Sequence, residues 1–70
     1  MGFLLVQYPT DRNVFIDDVQ CGTTNTPFQV PNGRHIIDLG PNNNYAPSFR
    51  RVEIDGEPSA APKTTTFQRL

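Results

Sequence analysis

The residue types best suited to catalysis or metal binding, histidine and cysteine, each occur once in this sequence, which limits the chemistry available. His35 is the only histidine and Cys21 the only cysteine in a chain of 70 residues. A general base needs a nucleophile or an orienting acid beside it, and zinc needs several His or Cys ligands at short spacings. Neither arrangement can be assembled here. We therefore expect no catalytic residue, metal or cofactor, and we expect His35 to close a hairpin by packing or hydrogen bonding.

Cys21 and the acidic pair Asp17–Asp18 have simple structural interpretations. Cys21 precedes Gly22 and lacks the basic neighbour that activates a thiol, so we expect a structural or incidental role, with an intermolecular disulfide as the main alternative. A calcium site needs several oxygen ligands at defined offsets. Adjacent aspartates at a strand end more often form turns, because their side chains bond nearby backbone N–H groups.

The charge balance argues against a nucleic-acid partner. The chain has 6 Lys and Arg residues against 7 Asp and Glu residues, a net charge of -1. Binding to phosphates would require a clear basic excess. Arg50 and Arg51 are adjacent, and on a strand they point to opposite faces. We expect one outside the fold and the other near its rim.

Aromatic residues offer a better route to a binding function. Tyr8, Phe15, Tyr45 and Phe49 stand apart from the expected core. Exposed aromatic rings can stack on sugars or anchor a protein partner, although they can also pack under a loop such as residues 40–44. The predicted contacts to a partner or a glycan are Phe15, Tyr45, Phe49 and Arg50.

The length of the chain allows one domain, residues 1–70, with a modest core. A chain this short buries only ~60 % of its unfolded surface, and a single cysteine excludes an internal disulfide. No apolar run could cross a bilayer, and no basic region precedes an apolar stretch at the N-terminus. We expect no membrane insertion and no secretory signal, so the chain is either an unexported protein or a domain of a longer one.

Proline, glycine and asparagine divide the chain into short segments rich in Val, Ile, Phe and Thr, which favour strands. No window has the apolar period of a helix. The sequence therefore predicts an all-β fold, a small antiparallel β-sandwich of about six or seven strands. The expected strands are residues 3–8, 13–17, 28–30, 34–39, 49–54 and 64–70, the last at a sheet edge.

Turn residues and alternation complete the expected fold. We expect turns at Asp17, Gly22, Pro27, Asn32 and Gly33, with positive φ at Gly22 and a type I′ hairpin at Asn32–Gly33. Residues 40–44 read as a surface loop. The expected core is Phe3, Leu5, Val14, Ile16, Phe28, Val30, Ile37, Leu39, Val52, Ile54 and Phe67.

Residues 14–39 resemble the PEGA domain. The matching elements are VFIDD at residues 14–18, Gly22, TPF at 26–28 and VPNGRH at 30–35, with Asn44–Tyr45 in the place of the family's Gly-Tyr. The family's naming tetrad is PTDR here, at residues 9–12, and keeps only its proline. The flanking segments match opening and closing strands, so the resemblance covers nearly the whole chain.

The resemblance implies a small transthyretin-like β-sandwich from a bacterial or archaeal envelope protein, without common catalytic residues. It suggests an envelope or extracellular location, whereas the single cysteine and missing signal permit a cytoplasmic one. Three functions stay open. The first is contact with a protein partner, or self-association, through an edge strand and exposed aromatic residues. The others are carbohydrate binding at the envelope and a structural spacer.

Overall fold

The computed structural model of the protein describes residues 1–41 and 44–70, and within them it contains nine β-strands and no helix. The all-β class is confirmed. The expected loop at residues 40–44 lies partly outside the described residues, at positions 42 and 43. The strands are β1 Gly2–Gln7, β2 Asn13–Ile16, β3 Val19–Thr23, β4 Phe28–Val30, β5 Gly33–Asp38, β6 Tyr45–Ala46, β7 Arg50–Ile54, β8 Lys63–Thr66 and β9 Gln68–Arg69.

The strands form two larger sheets and one small one. The four-stranded sheet has the order β3-β2-β5-β7 and is antiparallel throughout. The three-stranded sheet has the order β4-β1-β8, in which β1 and β8 run parallel. A parallel pair needs a long connection, and here most of the chain separates the two strands. β6 and β9 form the third sheet, so the expected final strand is divided into β8, an edge strand, and β9.

Apolar side chains from both larger sheets form one buried core. Most of the expected core residues are buried, and Phe28 is half-buried against them. The prediction for β1 was wrong. Leu4 and Val6 are fully buried, whereas Phe3 and Leu5 are only half-buried. Because β1 is apolar on both faces, alternation along the strand could not indicate which face points inward.

A type I′ hairpin does occur, but at Asp17–Asp18 between β2 and β3. Both aspartates have positive φ, 51° and 68°, as this turn requires. The turn expected at Asp17 is therefore confirmed. β3 was missed because its five residues, VQCGT, are mostly polar or small and show no buried face.

The hairpin predicted at Asn32–Gly33 was wrong. β4 pairs with β1 and β5 pairs with β2 and β7, so these two residues connect different sheets. Gly33 has a positive φ of 125°, whereas Asn32 has none and its side chain accepts a hydrogen bond from the Gly56 N–H at 3.0 Å. An Asn-Gly pair reports what the local backbone tolerates. It does not decide which strands pair.

The turn with positive φ predicted at Gly22 was also wrong, because Gly22 lies within β3 and does not have a positive φ. Its role is to leave space. A Cβ at this position would lie 2.6 Å from the ring of Phe28, which packs against the glycine backbone. In the following loop, Asn25 takes the positive φ, 67°, and Pro27 is exposed just before β4.

We predict that Gly22→Ala lowers the free energy of unfolding by about 1–3 kcal/mol, the usual cost of forcing an extra carbon into a packed contact. Urea denaturation measures this difference. The same substitution in a Phe28→Leu background should cost clearly less, because the smaller side chain can withdraw. An equal cost in both backgrounds would show that the ring is not the cause.

Candidate functional site

Asp17 and His35 form a polar cluster where β2 ends and β5 begins. The two oxygens of Asp17 have separate partners: Oδ1 accepts the Ile36 N–H at 3.0 Å, and Oδ2 lies 2.8 Å from His35 Nδ1. His35 Nε2 lies 2.8 Å from the carbonyl oxygen of Pro31. The imidazole therefore joins the β2–β3 turn to the connection between β4 and β5.

The chemistry of this Asp17–His35 pair follows from its partners. A carboxylate and a carbonyl are both acceptors, so both ring nitrogens must donate, which requires the protonated imidazolium. The hydrogen bond to Asp17 raises the pKa of His35 above its ordinary value of 6.5. The Ile36 N–H, followed by the His35 bond, lowers the pKa of Asp17 below 3.8. His35 thus makes the hydrogen bonds expected of it, although it joins two turns rather than closing a hairpin.

A second cluster surrounds Arg12 and corrects the position of Tyr45. Arg12 lies 5.0 Å from the ring centre of Tyr45 and 5.7 Å from that of Tyr8. Its Nη2 donates to the carbonyl oxygens of Leu39 and Pro41 at 3.1 and 2.7 Å. The Tyr45 hydroxyl donates to Gly40 O at 2.9 Å.

Tyr45 is therefore part of the core, with 5 % of its surface exposed, and its ring packs edge-on against Phe67 at 5.6 Å. Tyr8 is buried as well, at 6 %. The expectation that Tyr45 projects from a loop towards a partner was wrong. A polar hydroxyl end made the ring look suited to the surface, but that end is satisfied inside the fold by backbone groups.

The solvent side of the four-stranded sheet gathers a different set of side chains. Because β5 and β7 alternate, Ile37, Val52 and Ile54 point into the core, and the residues between them point outwards. Arg34 lies opposite Glu53, and Ile36 opposite Arg51. We call this surface the outer face; its residues are Phe15, Arg34, Ile36, Asp38, Phe49, Arg51 and Glu53.

Two large apolar side chains of the outer face remain in solvent. Ile36 and Phe49 are each 45 % exposed. The Arg51 guanidinium lies 5.7 Å from the Phe49 ring centre. Arg34, Ile36, Arg51 and Glu53 line a surface groove of about 520 Å³. The arrangement offers apolar contact area with charged groups beside it.

The predicted contact residues are thus divided between three places. Phe15 and Phe49 lie on the outer face, with Phe15 half-buried, and Tyr45 lies in the core. Arg50 is in register with the inward-pointing Ile37 at the end of β7, and its Nη2 donates weakly to Thr66 O of β8 at 3.4 Å. Sequence reasoning missed Ile36 as a contact, although its alternation with Ile37 already placed it on the other face.

The remaining chemical candidates are not brought together. Cys21 is exposed on β3. Across residues 1–41 and 44–70, no three His, Cys, Asp or Glu side chains form a group that could hold a metal ion. No helix in the same ranges is long and apolar enough to cross a membrane.

Comparison with protein-family models, curated proteins and solved structures finds no match to this chain.

We predict that the Asp17–His35 pair stabilises the protein most in mild acid. The folded state raises the His35 pKa above 6.5, so this contribution is complete below pH 6.5 and is lost as the pH rises through the raised value. It is also lost as the pH falls through the lowered Asp17 pKa, below 3.8. The midpoint temperature of thermal unfolding should therefore be lower at pH 8 than at pH 6.

The matched control for this prediction is His35→Gln, which keeps the size of a polar side chain but cannot titrate. All other titratable groups are present in both proteins, so their contributions cancel in the comparison. The variant should lose most of the decline between pH 6 and pH 8. An equal decline in both proteins would contradict the role assigned to His35.

Proposed function

We propose that this chain is a non-enzymatic protein-interaction domain that docks a protein on its outer face. The observation that carries the proposal is that Ile36 and Phe49 are both exposed on the outer face, with Arg51 opposite Ile36 and its guanidinium 5.7 Å from the Phe49 ring centre. Protein interfaces are enriched in aromatic residues and arginine, and hot spots combine apolar anchors with such groups. Covering Ile36 and Phe49 would remove apolar area from water, which is the main driving force for association.

Of the four edge strands of the two larger sheets, β3, β4 and β8 are less suitable than the face, which changes the expected use of an edge strand; the fourth, β7, contributes Arg51 and Glu53 to the outer face. β3 has a β-bulge in its pairing with β2, between Val14 and Phe15 on the β2 side. β8 follows Pro62 and begins with Lys63, and prolines at positions 27 and 31 flank β4. Bulges, prolines and lysines are the features that prevent an edge from pairing with another strand. We therefore assign the contact to side chains of the outer face.

A non-enzymatic role agrees with the state of the most reactive side chains. Both ring nitrogens of His35 are engaged in hydrogen bonds within the protein, to Asp17 and to Pro31. Glycan binding was linked to exposed rings that included Tyr45. That ring is buried and Phe15 packs on Gly40, which leaves Phe49 as the exposed ring of the predicted set. The spacer role is the outcome expected if the outer face binds nothing.

A relationship to PEGA domains, with a bacterial envelope location, stays part of this proposal. The elements behind the resemblance have structural roles here: VFIDD covers most of β2 and its turn, Gly22 makes room for Phe28, and His35 bonds back to Pro31. Such roles support a shared fold plan. They imply no particular ligand, so the functional proposal depends on the outer face alone.

We predict that a photo-crosslinking residue, p-benzoylphenylalanine, at position 36 forms covalent adducts with protein in cells that produce the chain. Position 29 is the matched control, because Gln29 is exposed on β4 of the other sheet. Adducts from position 36 should disappear when Phe49→Ser is added. Equal labelling from positions 29 and 36, or no protein adduct from position 36, would refute the proposed function.

A further inference from the structure

We infer that the outer face docks against the outer face of a second copy of this chain. This inference rests on the proposed function and identifies the partner. It starts from Arg34 and Glu53, which are exposed cross-strand neighbours on β5 and β7. No ion pair joins them within residues 1–41 and 44–70, where the one ion pair is between Asp17 and His35. Both charges are thus available to another molecule.

The charges of the outer face balance within the face. Arg34 and Arg51 are matched by Glu53 and Asp38; Asp17 is paired with His35, and Asp18 stands at the margin of the face, beside Phe15 and Asp38. A strongly acidic or strongly basic partner would meet two like charges as well as two opposite ones. A surface with equal numbers of both signs is best complemented by a surface with the same balance, which a second copy supplies.

The strand register shows how two copies can meet. Consider a two-fold axis that lies above the outer face, parallel to β5 and β7 and midway between them. It places each residue of one strand over the residue that is opposite it on the other strand, but in the second copy. Arg34 then lies over Glu53 of the second copy, and Glu53 over its Arg34. Ile36 lies over the aliphatic stem of Arg51 from the second copy. No two groups of like charge are brought face to face.

The same symmetry buries the apolar residues that the monomer leaves exposed. Ile36 is in the middle row of the face, and Phe49 directly precedes β7 at one end of it. In a two-fold contact each copy covers these residues of the other. Because the face belongs to a domain of only 70 residues, the contact is at the small end of specific interfaces and its dimer exchanges with monomer.

The experiment is sedimentation of the purified chain over a range of concentrations under reducing conditions, which excludes a disulfide through Cys21. The wild-type protein should dimerise as its concentration rises. Arg34→Glu and Glu53→Arg should each weaken dimerisation by at least about tenfold, since each sets like charges against each other twice. A one-to-one mixture of the two variants should recover the dimer, because both contacts are then between opposite charges.

The mixture is the decisive step. Within each variant chain the cross-strand neighbours 34 and 53 have like charges, and mixing does not change that. Recovery on mixing can therefore come only from contact between copies. Failure of the mixture to recover, or unchanged dimerisation of either single variant, would overturn the inference. Both substitutions are at exposed positions, and thermal unfolding verifies that the variants fold.

A wild-type protein that stays monomeric at every concentration would also overturn the inference. That result is distinct from failure of the proposed function. If position 36 still crosslinks to a different protein in cells, the outer face docks proteins other than its own copy. If position 36 forms no protein adduct, both proposals fail together.

Discussion

The carboxylate of Asp17 connects the parts of the four-stranded sheet that local sequence preferences leave independent. It occurs in a turn with positive φ, accepts the N–H of Ile36 and pairs with His35, which in turn bonds to Pro31. The Asp17 N–H donates to Ile36 O at 2.9 Å, so backbone and side chain bind the same residue of β5. Small domains are often stabilised by disulfides, which a chain with one cysteine cannot form internally. Here these hydrogen bonds help to hold the strands in place.

Asp17 supports the register of β5. A slip of one residue would exchange the two faces of the strand, sending Ile37 and Leu39 into water and the charged Arg34 and Asp38 into the core. Apolar burial therefore already favours the observed register, and the bonds from Asp17 to Ile36 reinforce it. The isoleucine left outside then lies beside Arg51, in the middle of the outer face on which the proposed function depends.

The sequence predicted what depends on alternation and missed what depends on partners distant in the chain. β2, β5 and β7 alternate clearly, and their buried residues were predicted correctly, as was the turn at Asp17. β1 has no polar face, so its inward side is set by neighbouring β4 and β8. The pairing of β4 with β1 overrode the local turn preference of Asn32–Gly33.

In the candidate site, too, local patterns predict some features, and contacts between residues distant in the chain determine others. Tyr45 is buried because Arg12, Gly40 and Phe67 converge on it, three positions that no local pattern connects. Phe49 could be recognised as an exposed aromatic residue from its place next to a strand. Ile36 could have been recognised too, since a second isoleucine on the solvent face of a strand exceeds what the core requires.

The most direct test of the outer face as the binding surface is a dilution series of amide and methyl NMR spectra at pH 6, where the Asp17–His35 pair is intact. Concentration-dependent shifts should be confined to the outer face and centred on Arg34, Ile36, Phe49, Arg51 and Glu53. Shifts centred on Val19–Thr23 or Lys63–Thr66 would contradict it, because they would place the contact on a sheet edge. Spectra that do not change with concentration would contradict the association of two copies.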